Sequence, residues 1–99
     1  MPDKSFRVVA RIKASSEKVS EVQKLLSGLV EPTRKERGCV SYQLLQNRAD
    51  PTDFTFVEEW SGDPAFDAHM SSAHVTEALP KLQPMLAEEP DIRTYSTVR

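Results

Sequence analysis

The stretch FTFVEEWSGDPAFDAHMSSAH, Phe54 to His74, holds both histidines of the chain, its only tryptophan and two adjacent carboxylates. Its opening alternates: Phe54, Phe56, Glu58 and Trp60 share one side, and Thr55, Val57 and Glu59 share the other. That period of two belongs to a β-strand with one buried face. Gly62-Asp63-Pro64 then reads as a helix start, since the Asp63 carboxylate can accept from the free amides of the first turn and proline suits the first helical position. The helix is expected to run through Met70, and Ser71 or Ser72 restarts the chain in another.

Upstream, Cys39 to Asn47 alternates with Val40, Tyr42 and Leu44 on one face, and the loop NRADPTD joins it to Phe54–Trp60 as a hairpin. Ser5 to Ile12 alternates again, with Val8, Ala10 and Ile12 together. Between these strands, Ser15 or Ser16 can cap a helix bearing Val19, Val22, Leu26 and Leu29 at helical spacing. Pro32 would press on the carbonyl of Gly28, so a kink or break is expected there. Gly38 is placed to take a left-handed stop, and the charge run Arg34-Lys35-Glu36-Arg37 before it reads as solvated. Downstream, Val75, Ala78, Leu79, Leu82 and Leu86 repeat helically, Pro80 and Pro84 are expected to fragment that helix, and Asp91 to Val98 reads as the last strand. The order is βαββαβ, an α+β ferredoxin-like arrangement in one domain over residues 1–99.

Composition narrows the function classes. A net charge of -2 offers no basic field for nucleic acid. The start MPDKSF has no apolar leader and no run approaches a membrane span, so a cytoplasmic protein with no membrane partner is expected. Cys39 is the only cysteine, which excludes an intrachain disulfide and suits a reducing compartment.

The alternations assign two sheet faces. Val8, Ala10, Ile12, Val40, Tyr42, Leu44, Phe54, Phe56, Trp60, Ile92 and Val98 fall on the face the helices should cover. The other mixes Val9, Leu45, Val57 and Tyr95 with Arg7, Arg11, Gln43, Glu59 and Arg93. It is too apolar for a plain solvated surface, so a second copy is expected to cover it in a symmetric homodimer.

Glu58 lies on the core side, where desolvation resists ionisation and yields a base poised nearer neutrality. The structural alternative is a carboxylate bonded to a backbone amide or to Arg11. His69, three residues after Phe66, can face the same space, and His74 opens the next helix; each can equally be a polar helix residue. The two lack the i, i+4 spacing of a helical metal pair, and no cysteine or carboxylate cluster completes a site, so no metal is expected. Trp60, Met70 and Met85 can line a ligand space or simply pack the core.

Taken together, EPTRKERGCVSYQL, the loop DPT, FVEEW and DAHMSSAH resemble the antibiotic biosynthesis monooxygenase domain family over about residues 6 to 96. The resemblance implies a ferredoxin-like subunit that dimerises through its sheet into an α/β barrel, with a ligand cavity between sheet and helices. It implies a cofactor-independent monooxygenase or quinol oxidase acting on a small aromatic diol or polycyclic phenol with O2. In that reading Glu58 or His69 takes the substrate proton and His74 hydrogen-bonds an oxygen substituent or protonates a peroxide. Tyr42, Phe56, Trp60 and Phe66 hold the ring, with Met70 and Met85 lining the space. The family's haem-degrading branch fits poorly, because its helix tryptophan falls at His69, its iron-binding histidine falls near Leu79, and the first strand has no asparagine. An isomerase of a small phosphorylated keto compound and a non-catalytic small-molecule-binding dimer are the alternatives.

Overall fold

The computed structural model describes residues 4–99; Met1–Asp3, read above only for the lack of an apolar leader, lie outside them. The chain runs β1 (Phe6–Lys13), α1 (Val19–Ser27), α2 (Val30–Arg34), β2 (Cys39–Gln46), β3 (Asp53–Trp60), α3 (Asp63–Met70), α4 (Ala73–Leu82), a 3-10 turn (Gln83–Met85) and β4 (Asp91–Tyr95). The strands form one antiparallel sheet in the order β2-β3-β1-β4, the ferredoxin-like arrangement expected. Trp60 pairs with Phe6 and with Cys39, and Phe54 pairs with Ile12 and with Gln46. One end of the sheet is thereby marked by Trp60 and the other by Phe54. Among the described residues, no helix is long and apolar enough to cross a membrane.

Alternation on β3 works as read: Phe54, Phe56, Glu58 and Trp60 are all buried. Val8, Ala10, Ile12 and Tyr42 join them, and Val22, Leu26, Val75, Ala78 and Leu82 close the core from the helices. Three expected core residues are not in it. Val40 is 58% exposed, because the register shifts between Cys39 and Ser41 and leaves Val40 as the unpaired residue of a bulge. Ile92 sits on the edge strand β4, whose five residues are all exposed. Val98 lies beyond that strand, which ends at Tyr95, and is fully exposed.

The break before Pro32 is present, as the gap between α1 and α2. Capping differs from the reading. Lys18, not Ser15 or Ser16, precedes α1, and Gly62 precedes α3 with no side-chain cap, so Asp63 is the first helical residue rather than the acceptor. Pro80 does not fragment α4: it stands near the helix end, where its missing N–H removes one link, and Pro84 is taken up by the 3-10 turn.

Candidate functional site

Strand alternation alone places Glu58, since β3 turns every second side chain beneath the helices. Glu58 is 3% exposed. The Trp60 indole N–H donates to its Oε1 at 2.8 Å, and among the described residues no ion pair reaches it. Arg11, the cation considered for it, is taken by Asp53. Burial therefore pushes the Glu58 carboxyl up to about 7, against the pull of the Trp60 hydrogen bond and with help from the charge of Glu36. Burial, then the Glu58 charge, also pushes the neighbouring Tyr42 phenol up, so Tyr42 stays a neutral hydroxyl. The Cys39 thiol is raised by burial first and by Glu36 and Glu58 after it, which suits a packing role rather than a nucleophile.

The two histidines meet on a residue that the sequence reading set aside. Glu36 Oε2 lies 3.0 Å from His69 Nδ1 and also bonds His74 Nε2. The run Arg34–Arg37 is therefore not uniformly solvated: the Glu36 side chain is 15% exposed, those of His69 and His74 5% and 25%. Local structure fixes all three. Glu36 sits in the turn after α2, with its amide bonded to the Thr33 carbonyl and its own carbonyl to the Cys39 amide. Gly38 then takes φ +86°, and a Cβ there would stand 2.4 Å from Ala65 Cβ, so only glycine lets this turn press against α3. His69 lies in the last turn of α3, where its carbonyl accepts from both the amide and the hydroxyl of Ser72. His74 follows in the first turn of α4, with Ser72 Oγ 3.3 Å from its Nε2. Glu36 is 33 residues from His69 and 38 from His74. One acid within a basic run, two residues before a turn glycine, was the only local signal for it.

An aromatic cluster links these groups. The Trp60 and His69 rings lie 4.8 Å apart between centroids, and Tyr42 meets Phe56 in a stack at 4.8 Å and His69 edge-on at 5.6 Å. Phe66 stands 6.0 Å from Trp60 and 6.3 Å from His69. Glu58, His69, His74, Tyr42, Phe56, Trp60 and Phe66 are thus brought together. Met70 is half-buried beside His69 on α3. Met85 is not part of the group: its carbonyl accepts from Ser15 just past the far end of β1, and the six residue steps from Val8 to Ala14 span about 20 Å. The open chamber expected between sheet and helices is filled in the single chain by these rings. A groove of about 980 Å³ lies next to the cluster and is lined by Phe6, Arg37, Gly38, Gly62, Ala65 and Tyr95 among others. Phe6 meets Phe66 edge-on at 5.8 Å, so one ring separates the groove from Trp60.

The family model of the antibiotic biosynthesis monooxygenases matches residues 5–81. The Synechocystis protein sll1783 is 30% identical over 94% of this chain and 63% of its own length. Rv0793 of Mycobacterium tuberculosis, itself only a proposed monooxygenase, is 34% identical over 68% of this chain and 65% of its own. The chain thus spans just under two thirds of the length of these two relatives. A crystal structure of an antibiotic biosynthesis monooxygenase superposes with a TM-score of 0.90 at 30% identity, covering 95% of this chain and 99% of that one.

Proposed function

Since the chain belongs to the antibiotic biosynthesis monooxygenase family, we propose that it is a monooxygenase that uses O2 on a small aromatic diol or polycyclic phenol, with no cofactor of its own. The observation that carries this reading is Glu58: a buried carboxyl held at about 7, with an indole N–H as its one bonded neighbour among the described residues. Such a group accepts a phenolic proton near neutral pH. The resulting anion is electron-rich enough to meet O2 directly. One oxygen atom joins a ring carbon that carried hydrogen, the other leaves as water, and the substrate supplies the electrons as it becomes the hydroxyquinone. His69 and His74, joined through Glu36, carry protons between the ring cluster and the partly exposed His74 edge. For a flat substrate to reach Trp60, Tyr42 and Phe56 from the neighbouring groove, the half-buried Phe66 must swing aside and open the space these rings fill. The lone Cys39 fits a cytoplasmic setting.

The test is oxygen uptake with a panel of substituted hydroquinones and naphthalenediols, run aerobically and anaerobically. Wild type should consume oxygen and form the hydroxyquinone, with a rate that rises as pH passes about 7, and Glu58→Gln should lose roughly 100-fold or more in kcat. Full turnover by that variant would remove the base. Because the rings fill the chamber, a non-catalytic binding dimer is the second reading; thermal stabilisation by these aromatics with no oxygen uptake would favour it.

We also propose a homodimer through the open sheet face, where Leu45 and Tyr95 are half-exposed beside the part-buried Val9 and Val57. Sedimentation should give twice the chain mass and Leu45→Arg should give the monomer; a wild-type monomer at high concentration would sink the dimer.

A further inference from the structure

Two imidazoles and one carboxylate converge from three separate elements at Glu36, His69 and His74, with donor atoms that all lie within 4.8 Å of one another. Part of this group is explained by hydrogen bonding alone, since imidazole N–H groups can donate to Glu36. The donor set is also that of a three-ligand site for a borderline divalent ion, two nitrogens and a carboxylate oxygen. Nitrogen and oxygen ligands sit about 2.0–2.2 Å from zinc, which places two donors on one ion roughly 3 to 3.5 Å apart. Glu36 Oε2 and His69 Nδ1, at 3.0 Å, already stand at that separation. The His74 contact must open by a fraction of an ångström and the imidazoles must draw together. His74 is the most exposed of the three, in the first turn of its helix, and can make that adjustment. His69 and Glu36 are held nearly closed to solvent and supply the fixed side of the site.

We propose that Glu36, His69 and His74 bind a divalent first-row transition ion, of which Zn2+ is the representative, and that occupancy switches the site off. Binding needs each ligating nitrogen free of its proton, so the imidazole hydrogens move to the other ring nitrogens and the hydrogen bonds to Glu36 are exchanged for metal bonds. No electrons are transferred. The partly open His74 side leaves water to complete the coordination. The switching half rests on the function proposed above, because an ion on His69 and His74 removes the route along which protons leave the ring cluster; the binding half stands on geometry alone.

Titrating Co2+ into the substrate-free protein, with ligand-field absorption as the readout, tests binding without any assay of turnover. Wild type should show a saturating one-to-one spectrum that Zn2+ displaces, and Glu36→Gln and His74→Ala should each weaken it by roughly 100-fold or more. Circular dichroism confirms that the variants fold, and His74→Ala, at the most exposed position, serves if Glu36→Gln does not. An absent Co2+ spectrum, or one unchanged in both variants, overturns the site. Where oxygen uptake is found, one equivalent of Zn2+ should abolish it and a chelator should restore it; tight binding with undiminished uptake overturns the switch. Saturable ion binding by a protein whose metal-free form shows no oxygen uptake leaves the site standing and removes the monooxygenase reading instead.

Discussion

Strand β3 carries two buried carboxylates five residues apart, one toward each end of the sheet and one on each face. Asp53 is 5% exposed and Glu58 3%, but Asp53 is covered thinly, by the half-exposed Arg11 on the open face of the sheet, whereas Glu58 lies deep beneath the helices. Their chemistry is opposite. Asp53 receives Arg11 Nε and Nη2, each at 3.1 Å, and Asn47 Nδ2 at 2.9 Å, with the Thr55 hydroxyl at 3.5 Å. The Arg11 hydrogen bonds, then that of Asn47, hold its carboxyl below the ordinary range despite burial. Glu58 receives one indole N–H and is pushed up to about 7. Depth and too few donors together make Glu58 a base, and thin cover with several donors keeps Asp53 ionised. The first carboxylate ties the β2–β3 loop to β1, and the second stores a proton beside an aromatic cluster.

The largest break in this contrast is Glu58→Gln, read as stability rather than turnover. The folded pKa of Glu58, about 7, lies above its ordinary value of 4.5, so between these values the folded state holds a proton that the unfolded chain has released. Its contribution is fully present below about 4.5 and is lost as pH rises through about 7, on the order of 3 kcal/mol by pH 8. Glutamine keeps an oxygen for the Trp60 N–H and never ionises. Urea titrations should find the variant and wild type equally stable near pH 4, and the variant more stable by about 2–3 kcal/mol at pH 8. The same substitution that removes the proposed activity thus strengthens the fold, as expected where a site is held under strain for function. Parallel pH profiles for the two proteins would mean that Glu58 is solvated after all.

The sequence carried this contrast only in part, and the reason is range. Alternation is a local property of the chain, so the burial of Glu58 between Phe56 and Trp60 was legible from one stretch, as were the hairpin and the helix start after Gly62. Val40 escaped because a bulge inserts one extra residue there and turns Val40 out of the face that Tyr42 keeps, and no local pattern marks that shift. Ile92 escaped because periodicity assigns a face without saying how far the helices reach over it, and Val98 because the strand stops at Tyr95, short of the bound read from the sequence. Glu36 was hidden by distance along the chain: its partners are 33 and 38 residues away, and its neighbours are basic and exposed. Asp53 looked like a loop residue and is instead the strand residue that anchors the loop.

The smaller test acts at that anchor. Asp53→Asn removes the charge that Arg11 pairs with while leaving an oxygen and an amide in place. Arg11 is more than half exposed, so solvent screens the pair and the loss at pH 7 should be modest, a fall of a few degrees in Tm. The sign is the informative part. A depressed carboxyl contributes stability above its unfolded value of 3.8 and loses it as pH falls through the folded value, so the wild-type advantage should shrink on acidification and vanish once Asp53 is protonated. Glu58→Gln diverges from wild type toward high pH, and Asp53→Asn should converge with it toward low pH. The pair also lies on the open face proposed to be covered by a second copy, where dimerisation would exclude the screening water. Melts at two protein concentrations separate these contributions: a Tm deficit that is constant with concentration belongs to the single chain, and one that grows with concentration belongs to the dimer. A gain in stability at neutral pH would mean that Arg11 does not hold Asp53 in solution, and the two carboxylates of β3 would then be alike.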